Sequence, residues 1–341
     1  MLISGGAGFI GVNAARYFAD RGWQVTILDN LSRRGTEYNL KRLQEEKPGI
    51  QFVKADIRTD RDALCRAVDA NDAVLHLAAQ VAVTTSVVSP REDFEINALG
   101  TFNVLEAVRA SAKKPLLLYA STNKVYGGLE HLRVNEGENR YAFADGRLGV
   151  GEDTPLDFHS PYGCSKGAAD QYVRDYARIY GLKTIVFRQS CIYGPHQMGI
   201  EDQGWVAWFM IAGMFGRPVT LYGNGKQVRD LLYVDDLVRA YDFAIGQIEK
   251  TSGQVYNVGG GHKNTLSLRE FLQLLKDQEG VELKYSSAST RPGDQPIFVS
   301  DNTKMKNDLG WEPRVDVSTG IARLMTWLKD NRAELAQFYG A

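Results

Sequence analysis

The 341-residue chain has the composition of an ordinary globular protein, with 44% hydrophobic and 24% charged residues. Its 40 basic and 41 acidic side chains leave a formal net charge of −1, which argues against a protein that coats nucleic acid. Three separated cysteines and five scattered histidines predict neither a disulfide framework nor a metal site. Because no apolar run approaches the roughly 18 residues of a membrane span, and glycine follows Met1 too soon for a signal peptide, we expect a cytoplasmic protein without a membrane partner.

Short apolar segments alternate with helical patterns over the first 190 residues. Near-continuous apolar strands separated by helices are typical of a parallel sheet with helices on both faces. We therefore predict an α/β fold built on a Rossmann-type, doubly wound parallel sheet. The predicted strands are Met1–Ser4, Gln24–Asp29, Gln51–Asp56, Ala73–Ala79, Leu116–Ser121 and Thr184–Arg188.

The pattern changes beyond about residue 190, where turns alternate with short strands and helices. Ser267 and Glu270 form a capping-box spacing that predicts a helix start, and a last helix is predicted over Ser318–Phe338. The sequence thus predicts a large N-terminal domain over residues 1–190, with an insertion at 127–160. A smaller, mixed α/β region follows over 191–341, and the chain can cross back between the two.

A glycine-rich segment directly follows the first predicted strand and opens a helix. Gly5, Gly8 and Gly11 have the G-x-x-G-x-x-G spacing of a Rossmann phosphate loop. Glycines let the backbone turn tightly and approach a pyrophosphate, while the helix N-terminus offers free N–H groups and a positive dipole. Because the loop stands between a strand and a helix, the sequence predicts a dinucleotide site rather than a plain tight turn.

The ends of the second and third predicted strands carry acidic residues suited to the same ligand. Asp29 follows Gly5 by 24 residues, where an acid can bind a ribose 2′-hydroxyl and repel a 2′-phosphate. Arg33 and Arg34 favour a 2′-phosphate instead, or are solvated loop charges. We predict NAD over NADP, with Asp56 and Ile57 flanking the adenine.

A tyrosine and a lysine four residues apart mark the predicted catalytic helix. Ser160 and Pro161 are typical of a helix start, and place Tyr162 and Lys166 on one helical face about 5–6 Å apart. A neighbouring cation and the positive charge of NAD would lower the phenol's pKa, giving a base that takes a proton from an alcohol. Tyr222 and Lys226 share the spacing, but the glycines between them predict a turn.

Together these features resemble the extended short-chain dehydrogenase/reductase family over nearly the whole chain. The matching pieces stand in the family's order: Gly5–Gly11, Asp29, Asp56, Leu77–Ala79, Asn97, Ala120–Thr122, Tyr162 with Lys166, and Arg188–Pro195. The resemblance implies that Thr122 hydrogen-bonds the reacting substrate oxygen beside Tyr162 and Lys166, that Ser121 lies beside the nicotinamide, and that Asn97 pins backbone near the site. On residues alone, Ser121 and Thr122 could simply be polar residues that end a buried strand, and Asn97 any polar helix residue.

The resemblance also implies two further sets of binding residues. The remaining cofactor-binding residues are Phe9, Ile10, Asn30, Ser32, Arg33, Leu77, Ala78, Ala79, Gln80 and Ile192. Arg229 and Arg291 match positions that bind the pyrophosphate of a nucleoside-diphosphate sugar, for which guanidinium groups are suited; a surface salt bridge is the alternative for each. The predicted substrate-binding residues are Thr122, Asn123, Cys191, Gln203, Val206, Arg229 and Arg291.

Two features select among the activities of this family. Sugar 4,6-dehydratases place Asp-Glu after the catalytic hydroxyl, where this chain has Asn123-Lys124. The insertion at 127–160 and the blocks around Ser121–Gly127, Leu156–Tyr172, Asp202–Val206 and Gly225–Asp230 resemble the CDP-tyvelose (CDP-paratose) 2-epimerases. The resemblance implies an NAD-dependent isomerase that epimerises C2 of a CDP-hexose through a transient keto-sugar, and a homo-oligomer, dimer or tetramer. The alternatives are a UDP-sugar 4-epimerase, a net dehydrogenase or reductase, and an NAD-binding sensor without catalysis.

Overall fold

A computed structural model describes residues 1–290 and 294–340. The strands in chain order are β1 (Leu2–Ser4), β2 (Thr26–Asp29), β3 (Gln51–Lys54), β4 (Ala73–His76), β5 (Leu116–Thr122), β6 (Val134–Glu136), β7 (Tyr141–Phe143), β8 (Thr184–Gln189), β9 (Cys191–Tyr193), β10 (Val219–Tyr222), β11 (Val228–Tyr233), β12 (Val255–Val258), β13 (Thr265–Ser267), β14 (Tyr285–Ala288) and β15 (Ile297–Phe298).

The helices complete the list of elements. They are α1 (Phe9–Ala19), α2 (Thr36–Glu46), α3 (Arg61–Asp69), α4 (Val83–Val88), α5 (Pro90–Phe94), α6 (Gly100–Ala110), α7 (Ser160–Tyr180), α8 (Trp205–Met214), α9 (Val234–Gly246), α10 (Ile248–Thr251), α11 (Leu268–Glu279), α12 (Thr303–Leu309), α13 (Val317–Asp330) and α14 (Arg332–Tyr339). A π-helical turn covers Glu95–Leu99, and 3-10 turns cover Asn123–Tyr126 and His262–Asn264. Among the described residues, no helix combines the length and apolarity needed to cross a membrane.

The largest sheet has seven strands in the order β3-β2-β1-β4-β5-β8-β12. The ladders that join β3 through β8 are all parallel. The order runs outward in both directions from β1, as in doubly wound folds whose ligands bind beyond the carboxyl ends of the strands. The predicted Rossmann-type sheet is therefore confirmed. The first four strands are shorter than predicted, while β5 and β8 each extend one residue further. Strand β4, for example, ends at His76, so Leu77–Ala79 lie beyond it.

Both faces of this sheet are covered, which explains the near-continuous apolar strands. On one face Leu2, Leu117 and Val186 pack with apolar residues of α3, α6 and α7. On the other face the buried Phe187 ring meets Tyr241 of α9 edge-on, at 5.0 Å between ring centroids. Since neither face meets water, the loops at the strand ends are where polar chemistry can be placed.

The described residues form two compact units, each defined by the contacts within it. The first unit comprises Met1–Val125, Phe158–Gln189 and Val238–Tyr256. The second comprises Tyr126–Asp157, Ser190–Leu237 and the chain from Asn257 onward. In the second unit β11 is central, with β13 antiparallel to it and β15 and β9 parallel. Its core packs around α8, α11 and α13, where the Trp205 and Phe271 rings meet edge-on at 5.0 Å.

The insertion after Tyr126 packs within the second unit. Strands β6 and β7 form an antiparallel hairpin. The Tyr141 N–H donates to the Lys226 carbonyl at 3.0 Å, and the Lys226 ammonium pairs with Glu136 at 2.7 Å. Arg140 donates to the Thr265 hydroxyl at 2.9 Å. The hairpin is thereby fastened to the turn that precedes β11.

Two predicted helix boundaries illustrate what local sequence decides. The predicted capping box is confirmed: Ser267 accepts the Glu270 N–H at 3.1 Å, and Glu270 accepts the Ser267 N–H at 2.8 Å. The single last helix predicted over Ser318–Phe338 is wrong. The chain breaks at Asn331, whose side-chain amide donates to the Trp327 carbonyl at 2.6 Å, ending α13, while its own carbonyl starts α14.

A buried ion pair joins α7 to β8 inside the first unit. Arg188 donates from Nε and Nη2 to the Asp170 carboxylate, each at 3.0 Å. The Asp170 side chain is 0% exposed and that of Arg188 is 2% exposed. Ser121 at the end of β5 adds a third hydrogen bond to this carboxylate, at 2.7 Å. The two charges can be buried here because they compensate each other through well-aligned hydrogen bonds.

We predict that Asp170→Asn destabilises the fold by about 3–5 kcal/mol, because it leaves the Arg188 charge buried without its partner. The free energy of unfolding in urea measures this. Asp175→Asn, at an exposed position of the same helix, is the matched control and should change stability by about 0.5 kcal/mol or less. An equal effect of the two substitutions would contradict the role given to the pair.

Candidate active site

The glycine loop has the tight geometry expected of a phosphate-binding turn. Gly5 has a φ of +67°, and a Cβ there would lie 2.6 Å from the Ala78 nitrogen. A Cβ on Gly11 would lie 2.6 Å from the Gly5 carbonyl oxygen. Gly8 stands at the N-cap of α1 without any side-chain cap. The N–H groups of the first helical turn are therefore left for an anionic ligand.

Asp29 is the last residue of β2, and its side chain is hydrogen-bonded to this loop. Its carboxylate accepts the Ala7 N–H at 3.1 Å and the Leu31 N–H at 2.8 Å. Burial raises the pKa of the Asp29 carboxyl, while these two bonds and the charge of the exposed Arg33 lower it. A carboxylate held at a strand end beside a glycine turn suits a ribose hydroxyl.

Asn30, Ser32 and Asp56 form a small network beside Asp29. The Ser32 N–H donates to Asn30 at 3.0 Å, and Asn30 donates to Asp56 at 2.9 Å. Arg58 binds the Asp56 carboxylate, with Nη2 at 2.7 Å, and lowers the pKa of that carboxyl to about 2. Asp56 lies beyond the end of β3, so the predicted strand over Gln51–Asp56 is two residues too long. The neighbouring Ile57 is buried against Gly100 of α6.

Asn97 fixes the loop after β4, as the sequence predicts for a backbone-pinning side chain. Its amide accepts the Gln80 N–H at 2.9 Å and donates to the Gln80 carbonyl at 3.0 Å. Asn97 lies in the π-helical turn between α5 and α6, a distortion often found at functional sites. The loop Leu77–Gln80 is thereby held next to the glycine turn.

Helix α7 brings the predicted catalytic residues into the first unit's interior. Ser160 has a φ of +64°, and its hydroxyl accepts the Gly163 N–H at 3.2 Å, a capping contact. The Tyr162 N–H donates to Ser86 of α4 at 3.1 Å. The side chain of Thr122, which ends β5, lies close enough to the Tyr162 phenol to lower its pKa. The structure thus brings Thr122 and Tyr162 close together, and their catalytic roles stay predictions.

The electrostatics of Tyr162 differ from the sequence-based expectation. Burial raises the pKa of the Tyr162 phenol to about 12, and the nearby Thr122 side chain only partly opposes this. Lys166 does not donate to the phenol: its ammonium donates to the Ala120 carbonyl at 2.6 Å and lies 4.3 Å from the centroid of the Tyr119 ring. Burial lowers the pKa of Lys166 to about 7, against the opposing charges of Asp170 and Asp93. In the protein without cofactor, Lys166 therefore does not lower the pKa of the phenol, contrary to the expectation from the sequence.

The other predicted residues of β5 and its turn have defined partners. Ser121 donates to Asp170, as described above. The Thr122 hydroxyl accepts the Lys124 N–H at 3.3 Å and donates to the Asn123 amide oxygen at 3.4 Å. Asn123 begins the 3-10 turn that follows, so its position depends on the strand end.

The second unit contains the remaining predicted residues. Cys191 and Ile192 lie on β9, where the Cys191 sulfur accepts the Trp205 indole N–H at 3.0 Å. Gln203 exchanges backbone hydrogen bonds with Ile200, and the Val206 side chain is buried in the core. Arg229 pairs with Asp294 at 2.6 Å. Arg291 lies outside the described residues.

Sequence reasoning missed two polar residues buried in the first unit, Asp93 and His76. Asp93 accepts hydrogen bonds from Ser165 at 2.5 Å and Asn97 at 3.1 Å. His76 contacts the hydroxyls of Ser4 and Thr101, at 2.6 Å and 3.0 Å, and burial lowers its pKa to about 3. The helical spacing of Asp93 and Asn97 (i, i+4) is the one local signal that could have drawn attention to the carboxylate.

Comparisons with known proteins place this arrangement in a family. A family model described as GDP-mannose 4,6 dehydratase matches residues 2–324. The chain belongs to this family. It is 45% identical to a CDP-paratose 2-epimerase of Salmonella typhi over 334 residues, which cover 96% of this chain and 98% of the relative. Membership of the extended short-chain dehydrogenase/reductases, predicted from the motifs, is confirmed.

Solved structures of the family share the whole fold. A dTDP-glucose 4,6-dehydratase of Streptomyces venezuelae, solved with NAD bound, superposes with a TM-score of 0.84 at 29% identity, covering 98% of each chain. A UDP-glucose 4-epimerase of Thermus thermophilus in complex with NAD gives a TM-score of 0.80 at 33% identity, covering 96% of this chain and 98% of that one. Members of one fold thus include both dehydratases and epimerases.

We predict that Gly11→Ala weakens NAD binding by about tenfold or more, a loss of about 1.4 kcal/mol. The added methyl group would collide with the backbone of Gly5 and Gly6, which no side-chain movement relieves. Calorimetric titration with NAD measures the affinity. Gly49→Ala, where a Cβ would meet open space, is the matched control, and unchanged affinity in Gly11→Ala would contradict the assignment of the loop.

Proposed function

We propose that this protein is an NAD-dependent epimerase of a nucleoside-diphosphate sugar, acting at C2 of a CDP-hexose. The observation that carries the proposal is the 45% identity to a CDP-paratose 2-epimerase across nearly the full length of both chains. The meeting of Thr122 and Tyr162, with Lys166 one helical turn away, supports catalysis rather than a binding role alone. The first unit would hold the cofactor and the second would hold the sugar nucleotide.

The residues of the first unit fit NAD. The open N-terminus of α1 suits its pyrophosphate, the carboxylate of Asp29 suits a ribose hydroxyl, and the Leu77–Gln80 loop held by Asn97 lies beside the glycine turn. When bound there, NAD would supply a hydride acceptor and donor and a positive charge that would lower the pKa of Tyr162, which the chain alone leaves high.

In the proposed mechanism Tyr162 acts as the base and Thr122 positions the reacting hydroxyl. The Tyr162 phenolate removes the proton from the sugar hydroxyl while the hydrogen on the same carbon leaves as hydride, giving a keto-sugar. Once the keto-sugar has presented its other face, hydride returns and Tyr162 gives the proton back. Lys166 lies one helical turn away and donates to the Ala120 carbonyl rather than to the phenol, so the positive charge of bound NAD would have to favour the phenolate. Burial around Tyr162 keeps water from the reacting atoms.

Arg229 is the proposed contact for the substrate's pyrophosphate in the second unit. Its guanidinium is half-buried at the start of β11 and pairs with Asp294. A guanidinium can bind a phosphate through two N–H groups, so a pyrophosphate would compete with Asp294 for it. Cys191, Gln203, Val206 and Arg291 remain predicted substrate contacts.

Two other activities of the family are weighed against this one. A 4,6-dehydratase needs an acid and a base after the catalytic hydroxyl, and Asn123-Lys124 supplies no carboxyl. A UDP-sugar 4-epimerase would use the same Tyr162 and Thr122, with a different carbon facing the cofactor. The fold shared with the Thermus UDP-glucose 4-epimerase supports that alternative.

A panel of CDP- and UDP-hexoses tests the proposal. The purified protein is incubated with each sugar nucleotide and bound NAD, and the sugars are then separated. Conversion of a CDP-hexose to its C2 epimer without net NADH supports the proposed reaction. Exchange at C4 of a UDP-hexose would replace it with the alternative. Net NADH release would indicate a dehydrogenase, and no turnover of any sugar would indicate a binding protein.

We predict that the epimerised carbon keeps protium when the reaction runs in deuterated water. Hydride that leaves and returns within the site never exchanges with solvent. A route that removes the same hydrogen as a proton needs an acidifying carbonyl, which a sugar alcohol lacks. Mass spectrometry and NMR of the product measure the label, and deuterium at that carbon in first-turnover product would rule out hydride transfer.

Tyr162→Phe tests the base within the same assay. We expect turnover to fall by about 100-fold or more, with NAD affinity retained, because the phenol's proton chemistry is what the substitution removes. Tyr285→Phe, at an exposed position of β14, is the matched control. Wild-type rates in Tyr162→Phe would assign the base elsewhere.

We also propose that the protein is a homodimer in the cytoplasm. Exposed apolar side chains lie along α6 and α7, including Phe102, Tyr172 and Tyr180. The Phe102 and Tyr172 rings meet edge-on at 5.9 Å, so the two helices present one aromatic surface. Such a surface is typical of a protein interface. The three cysteines are free thiols, which suits a reducing compartment.

We predict that Tyr172→Asp converts the dimer to a monomer at micromolar concentration, because a charge is costly in the desolvated centre of an apolar interface. Light scattering coupled to gel filtration gives the mass. Leu148→Asp, at a comparably exposed apolar position in the second unit, should leave the mass unchanged. A wild-type protein that runs as a monomer would contradict the proposed assembly.

A further inference from the structure

A buried carboxylate without an ion-pair partner lies next to the proposed catalytic residues. Asp93, on α5, is 1% exposed. Its donors are neutral groups: the Ser165 hydroxyl at 2.5 Å, and the side-chain amides of Asn97 and Gln80, each at 3.1 Å. No basic side chain forms a salt bridge with Asp93 in the described part of the chain. A buried carboxylate is costly unless hydrogen bonds or an opposite charge compensate it.

The positive charge that acts on the Asp93 carboxyl is that of Lys166. Burial raises the pKa of the Asp93 carboxyl, and the charge of Lys166 lowers it. Asp93 and Asp170 are the two carboxylates whose charges act on the buried ammonium of Lys166. Asp170 has the larger effect on Lys166 but is also paired with Arg188, whereas Asp93 forms no salt bridge in the described part of the chain.

Asp93 is also joined by a hydrogen bond to α7, the helix that carries Tyr162 and Lys166. Ser165 lies between Tyr162 and Lys166 on α7, and its hydroxyl donates to Asp93 while accepting from Asn97 at 3.1 Å. Asn97 in turn holds the Gln80 backbone. One carboxylate therefore connects α5, the loop after β4, and the helix that carries Tyr162.

We propose that Asp93 is a positioning residue for the reaction: its hydrogen bond to Ser165 fixes the part of α7 between Tyr162 and Lys166, and places a buried carboxylate beside it. This inference rests on the proposed function. Asp93 touches neither substrate nor the reacting atoms in this assignment, and acts through Lys166 and Ser165.

The charged and titratable groups around Lys166 determine in which direction the loss of the Asp93 charge shifts the pKa values of the site. Asp93 favours the protonated form of Lys166 and also raises the pKa of the Tyr162 phenol. Tyr119 lies under Lys166, and burial and nearby charges keep its pKa well above the working range. His76 is held neutral by burial and by Lys166. Removing the charge of Asp93 therefore lowers the pKa of both Lys166 and Tyr162, and both limbs of the pH profile should move to lower pH.

The test compares Asp93→Asn, which keeps the size and a hydrogen-bond acceptor, with Glu92→Gln at the exposed neighbouring position. The Lys166 ammonium is titrated by NMR in the full chain labelled with ¹⁵N-lysine, and Lys166→Met assigns its signal. The wild-type midpoint is expected at about pH 7. Asp93→Asn should move it to lower pH by on the order of one unit, and Glu92→Gln should leave it in place.

Turnover supplies the second readout. In Asp93→Asn we expect the pH profile of kcat to shift to lower pH in both limbs, with KM for the sugar nucleotide little changed. A uniform fall in kcat without a shift, or an unmoved Lys166 midpoint, would overturn the proposal and leave Asp93 a structural residue. The NMR titration needs no substrate. A wild type that turns over no sugar would defeat the proposed function while leaving the titration to decide the role of Asp93.

The wild type offers a measurement that does not depend on whether Asp93→Asn folds. With ¹³C-labelled aspartate, the Asp93 carboxyl signal, assigned by sequential NMR, should show a step at the pH where Lys166 loses its proton. A signal that passes through this midpoint without a step would contradict the coupling of the two charges.

Discussion

The burial of the parallel sheet on both faces is the constraint on which the first unit depends. Strands such as β5 and β8 have no solvated face, so a functional polar side chain must stand at a strand end or enter from a covering helix. Asp29, Ser121 and Thr122 occupy strand ends. Tyr162 and Lys166 enter from α7 and are buried with them. The same burial that excludes water from this region also changes the proton affinity of every ionisable group in it.

Burial acts on several ionisable groups around Lys166 at once. A buried ammonium and two buried carboxylates lie in one small region, and Arg188 balances only one of the carboxylates. The site is therefore a set of coupled charges rather than a tyrosine activated by one lysine. In the chain alone the phenol is far from ionisation, which makes the positive charge of the cofactor part of the catalytic arrangement. In the proposed mechanism, catalysis and cofactor binding would be linked through this charge balance.

The insertion after Tyr126 gives the second unit a feature of its own. Its hairpin holds the turn before β11 through Tyr141 and Glu136, and that strand carries Arg229. The hairpin is thus fastened next to the strand that carries Arg229. If Arg229 contacts the substrate as proposed, the insertion would influence the position of the sugar nucleotide.

Local sequence was sufficient for the features that depend on neighbouring residues. The glycine spacing after β1, the acid that ends β2, the capping box at Ser267 and the Tyr162–Lys166 spacing are all set within one turn or one strand end, and each could be read directly. The helix break at Asn331 was missed because an asparagine is tolerated both inside a helix and at its end.

Only the tertiary structure decided which charges meet. Asp93 and Ser165 are 72 residues apart in sequence, and Asp170 reaches Arg188 and Ser121 only because α7 packs across β5 and β8. Lys166 turns to the Ala120 carbonyl rather than to the phenol because the strand beneath it offers an acceptor inside a dry interior. The sequence by itself was enough to predict the fold and to propose which groups react. Their proton affinities depend on burial and on distant partners, and these exist only once the chain has folded.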